Sequence, residues 1–323
     1  MNKKIKISLI ISLCFVFTGA ILFVIAMSIN NWDFKKLGSQ NFETNSYEFT
    51  QEFNNLLINT STADIDFQYS NDEKCKIICY ENKKEKHSTT IENGILSINC
   101  INEKKWYDYI SLFSNNPKIT VYLPKLESLN LEIKLSTGDI NITDFTFENI
   151  SISASTGDVK CSASSKKQTK IHLSTGDIFI ENSMAENYDL VSSTGLIKLN
   201  NVVCSNEIKL KVTTGDNYLT NVNCKNIVST GSTGDINLNS VIATNNISIT
   251  RNTGDVEFYK CDASEIVIKT STGDVEGTLL SDKVFITKSN TGDIEIPKTT
   301  TGGKCKITTN TGDIEISIIN NTN

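Results

Sequence analysis

The residues whose type and spacing suit chemistry are aspartates in the tripeptide Thr-Gly-Asp, which recurs at intervals of 19 or 20 residues. The nine aspartates are Asp139, Asp158, Asp177, Asp216, Asp235, Asp255, Asp274, Asp293 and Asp313. If the repeats stack, carboxylates about 5 Å apart repel one another by about 1 kcal/mol in water, and by more at lower dielectric constant. A cation between them relieves this repulsion, and oxygen ligands suit calcium, so the aspartates form a candidate calcium ladder.

The same tripeptide also suits a purely structural corner. Glycine adopts positive φ angles that other residues resist, and aspartate accepts a backbone N–H in turns. In a tenth copy, Thr194-Gly195-Leu196, leucine replaces the aspartate without interrupting the period. Each repeat also offers only one aspartate, so the pattern favours corners over calcium sites.

Three cysteines before the repeats are candidate zinc ligands. Cys75, Cys79 and Cys100 offer thiolates, and His87 is the only nearby imidazole. These cysteines lack the Cys-x-x-Cys spacing found in many structural zinc sites, so the spacing disfavours zinc.

Four of the five cysteines inside the repeats take positions of the inward face. Cys161, Cys204, Cys224 and Cys261 occupy positions that hold Val, Ile, Ala or Phe in other copies, which predicts small buried hydrophobic side chains. Cys204 and Cys224 share one position in neighbouring repeats, close enough for a disulfide in principle. Stacked inward side chains rarely meet the dihedral angle that a disulfide requires.

The composition excludes several classes of function. The chain has 323 residues, a formal net charge of −6, a single arginine, Arg251, and only His87 and His172 as histidines. A nucleic-acid-binding protein needs a basic stripe, which this balance does not supply. So few histidines also leave little for acid–base catalysis. We therefore expect no enzymatic activity and no cofactor other than the candidate calcium.

The repeat period defines the elements that position these residues. Apolar side chains alternate on both sides of each corner, as in Ile140 and Ile142 or Ile178 and Ile180, which is typical of short strands with one buried face. An even period of this length signals a solenoid. The sequence predicts an all-β, single-domain β-solenoid of about ten coils of 19–20 residues, similar to a parallel β-helix and preceded by one transmembrane helix.

The N-terminus carries the membrane signal. Residues 7–29 contain no charged side chain, and about 20 such residues span a bilayer as a helix. Lys3, Lys4 and Lys6 precede this segment, so the positive-inside rule predicts a cytoplasmic N-terminus and an extracellular C-terminal domain. A cleaved signal peptide is the alternative, but the apolar segment is long and lacks an Ala-x-Ala site.

The predicted organisation has five parts. These are a cytoplasmic tail (1–6), a transmembrane helix (7–29), a polar tether (30–46), an irregular β-rich start and cap (47–130) and the regular repeat solenoid (131–319). Within the cap, Thr62-Ala63-Asp64 resembles a decayed corner. Residues 75–80 and 95–100 are strand-like and are expected to pair with each other.

An aromatic group lies in an insertion before the repeats. It consists of Trp106, Tyr107, Tyr109 and Phe113. A hydrophobic plug over the first coil is the favoured interpretation, because an open solenoid end must be covered. A sugar-stacking platform or a contact near the membrane is the alternative.

These residues carry a resemblance to a known family. The strand Ile119-Thr-Val-Tyr-Leu-Pro124, the apolar stretch 129–135 and the turn Ser136-Thr-Gly-Asp-Ile140, with its repeated Ser-Thr-Gly-Asp successors, resemble the bacterial putative adhesin family. Members are β-solenoid domains of unknown function, commonly placed after a membrane anchor. The resemblance covers roughly residues 47–319 and implies an exported domain of the cell envelope, without established catalytic residues.

Three classes of function remain. The favoured one is a non-catalytic cell-surface module for binding, adhesion or scaffolding, whose partner is an unknown glycan or protein. The second is an accessory of envelope-stress sensing that acts through a membrane partner. The third, a polysaccharide-active β-helix enzyme, is disfavoured because the regular repeats leave no long loops on which carboxylates converge.

Overall fold

We describe a computed structural model of the chain, which covers residues 3–29, 31–32, 42–105, 116–126 and 128–319. The N-terminal helix α1 (Lys3–Ile29) contains 27 residues and is long and apolar enough to cross a membrane. Two of its hydroxyl groups are satisfied within the helix, since Ser12 donates to the Ser8 carbonyl at 2.9 Å and Thr18 to the Cys14 carbonyl at 2.8 Å. This pairing removes the cost of placing those groups in lipid.

The rest of the described chain is almost entirely strand. The strands are β1 (Phe42–Phe49), β2 (Asn55–Thr62), β3 (Asp64–Tyr69), β4 (Cys75–Asn82), β5 (Glu85–Glu92), β6 (Ile95–Asn102), β7 (Lys118–Leu123), β8 (Asn130–Thr137), β9 (Ile140–Ile142), β10 (Thr146–Thr156), β11 (Val159–Cys161), β12 (Ser164–Thr175), β13 (Ile178–Thr194), β14 (Ile197–Thr214), β15 (Asn217–Thr233), β16 (Ile236–Thr250), β17 (Val256–Lys269), β18 (Val275–Leu279), β19 (Lys283–Thr291), β20 (Ile294–Glu295), β21 (Gly303–Thr311) and β22 (Ile314–Ile318).

The strands stack in parallel into a β-solenoid of about nine turns, which confirms the predicted fold class. The register advances by one repeat per turn: Thr137 pairs with Thr156, and Thr156 pairs with Thr175. One coil shows how the core is filled. Its inward side chains are all buried: Ile197, Leu199, Val202, Cys204, Ile208, Leu210 and Val212. Burial between two neighbouring coils is what stabilises each turn, as in other repeat proteins.

Glycine is required at the Thr-Gly-Asp corner. Gly176 has a φ angle of +136°, and a Cβ atom there would lie 2.0 Å from the carbonyl oxygen of Gly157 in the preceding coil. Both the backbone conformation and the close approach therefore exclude a side chain. The predicted structural role of the glycine is confirmed.

A second corner uses asparagine in the left-handed region. Asn182, Asn201 and Asn221 have φ angles of 50°, 55° and 53°. Their amides form a ladder, since Asn201 Nδ2 donates to Asn182 Oδ1 at 3.0 Å and Asn221 Nδ2 donates to Asn201 Oδ1 at 3.1 Å. Asparagine tolerates this conformation better than most residues, and its side chain links the coils.

The N-terminal end of the stack is built from the decayed repeat. Strands β2 and β3 stack directly on β8 and β9, so Thr62 pairs with Thr137. Strands β6 and β7 cover the other side of this coil. Antiparallel pairing of β1 with β4, β4 with β7 and β5 with β6 then closes this end.

Two expectations for this region need correction. Strand β1 begins at Phe42, inside the range 30–46 that we expected to be a polar tether. The segments 75–80 and 95–100 form β4 and β6, but these strands do not pair with each other. Strand β4 pairs with β1, β5 and β7, whereas β6 pairs with β2 and β5.

The C-terminal coils do not stack in chain order. Strands β21 and β22 pair with β17 and β18 on one side and with β19 and β20 on the other. The last coil in sequence therefore lies between the two that precede it, and the coil of β19 and β20 is outermost among the described residues. Residues 297–302 lead the chain back into the stack.

Candidate functional site

The aspartates of the repeat form a column along one corner of the solenoid. Except in the outermost described coil, that of Asp293, the carboxylate Oδ1 accepts the backbone N–H of the equivalent residue in the next coil, as from Asp158 to Asp139 at 2.9 Å and from Asp177 to Asp158 at 2.9 Å. The column starts at Asp64 and its hydrogen bonds continue through the reordered C-terminal coils, from Asp313 to Asp274 and from Asp293 to Asp313, both at 2.7 Å.

These contacts explain why the column is built from aspartate. The carboxylate satisfies a backbone donor of the adjacent coil, whereas our sequence argument placed the accepted N–H within the turn itself. At the exceptional copy, the N–H of Leu196 still donates to Asp177, but leucine has no acceptor to offer Asp216. The calcium ladder stays a prediction.

A second column of carboxylates runs beside the first one. It contains Glu257, Glu276, Glu315 and Glu295, which pair in this order in the parallel register of β17, β18, β22 and β20. Sequence reasoning missed these residues, although the signal was present: each follows a Thr-Gly-Asp aspartate by two positions. Partial burial, followed by the charges of Glu276, Asp235 and Asp255, raises the pKa of Glu257 above its usual range.

Three of these glutamates, Glu257, Glu276 and Glu315, line a groove of about 650 Å³ on one face of the C-terminal half. Its other polar walls are supplied by Tyr218, Thr220, Asn237, Asn239, Tyr259, Thr278 and Ser317. Tyr218 is oriented by a 3.1 Å hydrogen bond to Asp216 Oδ2. Tyr259 is about half exposed, and the Lys260 ammonium lies 5.1 Å from the centre of its ring.

A glycine also lines the groove. Gly277 takes the position that Phe258 and Ile316 occupy in the neighbouring coils, and a Cβ atom there would lie 1.9 Å from the Phe258 carbonyl oxygen. The groove therefore combines aromatic faces, amides and carboxylates on a rigid set of strands. Such a lining suits a polar ligand that carries positive charge.

The column of outward residues that contains the groove glutamates changes from negative to positive charge along the solenoid. At the position of the groove glutamates, β11 carries Lys160, β13 carries Phe179 and β14 carries Lys198, whereas Tyr218 and Asn237 mark the transition. Among the described residues the column is therefore acidic in the C-terminal coils and again at Asp66 in the first coil, where Lys118 forms an ion pair with the carboxylate. This placement separates the groove from the basic part of the same face.

The cysteines inside the repeats behave as predicted. Cys161, Cys204, Cys224 and Cys261 are buried and all are free thiols. Burial raises the pKa of the Cys224 thiol to about 12 and that of Cys161 to about 11, which makes them unreactive.

The structure does not bring the four candidate zinc ligands together, and Cys75 is buried at the start of β4, apart from the other three. Cys79 and His87 lie together, with Glu81, which sequence reasoning missed. Cys100 instead approaches Ser61 and Glu85, at 3.7 and 3.8 Å. The aromatic group of Trp106, Tyr107, Tyr109 and Phe113 lies outside the described residues.

Taken together, the fold defines a parallel β-solenoid with one apolar N-terminal helix and a grooved, regularly patterned face. The sequence matches the Toastrack DUF4097 family over residues 53–216 and 205–323. The chain therefore belongs to this family, a domain of unknown function with a solenoid fold, in agreement with the resemblance found in the sequence. No curated protein matches the chain.

Several solved structures are similar to this chain. A putative adhesin from Bacteroides fragilis is 16% identical, covers 87% of this chain and 99% of its own length, and gives a TM-score of 0.41. A putative adhesin from Parabacteroides distasonis is 9% identical, with 74% and 98% covered and a TM-score of 0.46. A putative lipid binding protein from the same organism is 19% identical, with the same coverage and TM-score. At these identities the likeness concerns the fold alone.

Proposed function

We propose that this protein is a non-catalytic surface module of the bacterial envelope, anchored by α1, that binds amine-bearing glycans in the groove. The observation that carries the proposal is the groove lining, in which two tyrosines stand beside the carboxylates of Glu257, Glu276 and Glu315. Tyrosine rings pack against the apolar faces of sugars. Protonated amines form charge-assisted hydrogen bonds with carboxylates.

The arrangement of the glutamates supports binding over hydrolysis. Glycosidases place two carboxyl groups on opposite sides of the scissile bond. Here Glu257, Glu276 and Glu315 follow one another along a single column in neighbouring parallel strands. They therefore present a row of negative charge to one side of a ligand, which suits recognition of repeated positive charges.

A pair of matched ligands tests the proposal. Calorimetric titration of the full-length chain in detergent micelles compares oligomers of glucosamine with oligomers of N-acetylglucosamine of the same length. We expect the amine form to bind at least about tenfold more tightly, equivalent to about 1.4 kcal/mol. Equal affinities, or no binding of either oligomer, would contradict the proposal.

Variants locate the site within the face. Glu276→Gln removes a groove charge and is expected to weaken the amine ligand about tenfold, because one charge-assisted hydrogen bond is lost. Glu295→Gln is the matched control, since Glu295 belongs to the same column but does not line the groove. An equal loss in both variants would indicate a general charge effect.

The cellular location is part of the proposal. Lys3, Lys4 and Lys6 at the start of α1 support an N-terminus in the cytoplasm, with the solenoid outside. Without those three lysines, 28 basic residues face 37 acidic ones, a net charge of −9. This acidic exterior is compatible with a cationic ligand and with solubility at the cell surface.

A further inference from the structure

A compact group of metal-ligating side chains lies in the N-terminal cap, away from the groove. Cys79 and Glu81 belong to β4 and His87 to β5, and their Sγ, carboxylate and ring nitrogen atoms all lie within 4.8 Å of one another. The exposed fractions of these residues are 0%, 0% and 3%. Sulfur, nitrogen and oxygen in one buried group form a ligand set that suits zinc and does not suit calcium.

Neighbouring residues hold these side chains in place. His87 Nδ1 lies 2.6 Å from Glu81 Oε2, while His87 Nε2 lies 2.7 Å from Thr60 Oγ1. Asn45 Nδ2 donates to Glu81 Oε1 at 2.6 Å. In zinc sites the second nitrogen of a histidine and the second oxygen of a carboxylate are usually held by such partners. Thr60 and Asn45 already supply them.

We propose that Cys79, Glu81 and His87 form a zinc site with three protein ligands that fastens β5 to β4 in the antiparallel cap. Zinc bonds of about 2.0–2.2 Å in a tetrahedron place two ligand atoms about 3.3 Å apart. The Glu81–His87 contact of 2.6 Å therefore opens by about 0.7 Å to admit the ion.

The position of the site gives it a mechanical role. Thr60 lies on β2 of the first coil, and Asn45 lies on β1, the strand added antiparallel to β4. Zinc at this point joins β4 to β5, and the hydrogen bonds of Thr60 and Asn45 connect its ligands to β2 and β1. The ion thus stabilises the hairpin at the end of the solenoid that is nearer to α1 in sequence.

Metal analysis of the full-length chain in detergent micelles tests the inference. After loading with zinc and removal of excess ion, we expect one zinc per chain and a higher melting temperature than after treatment with a chelator. Cobalt in place of zinc is expected to give the absorption of a sulfur-to-cobalt bond. Less than a tenth of a zinc per chain, together with an unchanged melting temperature, would overturn the proposal.

Two cysteine variants assign the ligand. Cys79→Ser is expected to lower zinc affinity at least about tenfold and to abolish the sulfur-to-cobalt absorption. Cys100→Ser, in the same cap but in contact with Ser61 and Glu85, is the matched control and should retain both. If Cys79→Ser does not fold, the cobalt spectrum of the native chain decides, and its absence overturns thiolate ligation.

Discussion

At the scale of single residues, the aspartate column contains one leucine, Leu196, at a position where the other repeats have aspartate. Leu196 interrupts the series of Oδ1 acceptors, so the N–H of Asp216 receives no carboxylate from the preceding coil. We expect Leu196→Asn to restore an acceptor and to raise the free energy of unfolding by about 0.5–1 kcal/mol. Denaturant unfolding measures this change, and Leu196→Ala serves as the control. An asparagine variant no more stable than the alanine variant would contradict the structural role.

The single arginine lies inside the solenoid core. Arg251 is 1% exposed and extends to the backbone of Gly231, where any side chain would collide with its guanidinium group. Its Nη1 donates to the Val212 carbonyl at 3.3 Å, and the amide oxygen of Asn217 can lie 2.6 Å from Nη2. Burial lowers the pKa of Arg251 to about 10, although the charges of Asp216 and Asp235 oppose this effect.

Two variants of Arg251 separate packing from charge. Arg251→Ala removes both and is expected to lower the free energy of unfolding by about 3 kcal/mol through the cavity it leaves. Arg251→Met keeps most of the volume and removes the cost of burying a cation, so its loss should stay below about 1.5 kcal/mol. Thermal unfolding of both variants measures the difference. Equal losses would show that the hydrogen bonds of the guanidinium dominate.

The groove predicts a pH-dependent effect at Glu257. Because the pKa of this carboxyl is raised in the folded state, its contribution to stability is present below its ordinary pKa of 4.5 and is lost as pH rises. We therefore expect Glu257→Gln to be more stable than the native chain at neutral pH, with the advantage disappearing in acid. Unfolding curves at several pH values measure this, and a constant difference would contradict it.

At the scale of elements, the C-terminal coils stack in an order that differs from their order along the chain. The structure pairs Lys269 of β17 with Thr308 of β21, and Thr308 with Lys288 of β19. Paired strands lie about 4.8 Å apart, within the Cα separation of a disulfide, whereas next-but-one strands lie about 9.6 Å apart. The three outward positions therefore distinguish the observed order from the chain order.

Engineered cysteine pairs measure that order. We expect Lys269→Cys with Thr308→Cys to form a disulfide under mild oxidation, and Lys269→Cys with Lys288→Cys to remain reduced. Mass spectrometry after thiol labelling detects both results, and the native cysteines of the repeats are buried. A disulfide between positions 269 and 288 alone would instead indicate stacking in chain order.

The amino-acid sequence predicted the structure of a single coil but not the order in which the coils stack. The even spacing of Thr-Gly-Asp and the alternation of residues such as Ile178 and Ile180 establish a parallel solenoid with its corners and inward positions. Every coil, however, presents a nearly equivalent edge. Periodicity therefore cannot decide whether β19 or β21 stacks on β17. It also cannot predict that Asp64 stacks on Asp139, which is 75 residues away in sequence.

The candidate sites show the same division between local pattern and spatial arrangement. The glutamate column was visible in the sequence, two positions after successive aspartates, and only the assembled face reveals that it borders Tyr218 and Tyr259. The cluster of Cys79, Glu81 and His87 in the cap could not be predicted in the same way, because Glu81 lies outside the repeats and no periodic spacing marks it. Its proximity to Cys79 and His87 arises from the hairpin of β4 and β5.

At the scale of the whole molecule, the protein joins an apolar helix to an acidic, polar rod. About nine turns at 4.8 Å per turn give the solenoid a length of about 43 Å. The acidic groove lies in the C-terminal coils, far along the chain from α1.

The central claim is that the solenoid is held at the outer surface of the cell by α1. Protease treatment of intact cells expressing the full-length chain, with an epitope at each terminus, tests it most directly. We predict that the C-terminal epitope is lost from intact cells while the N-terminal epitope is protected until the membrane is broken. Protection of both epitopes in intact cells, or release of the whole solenoid into the medium without protease, would contradict the claim.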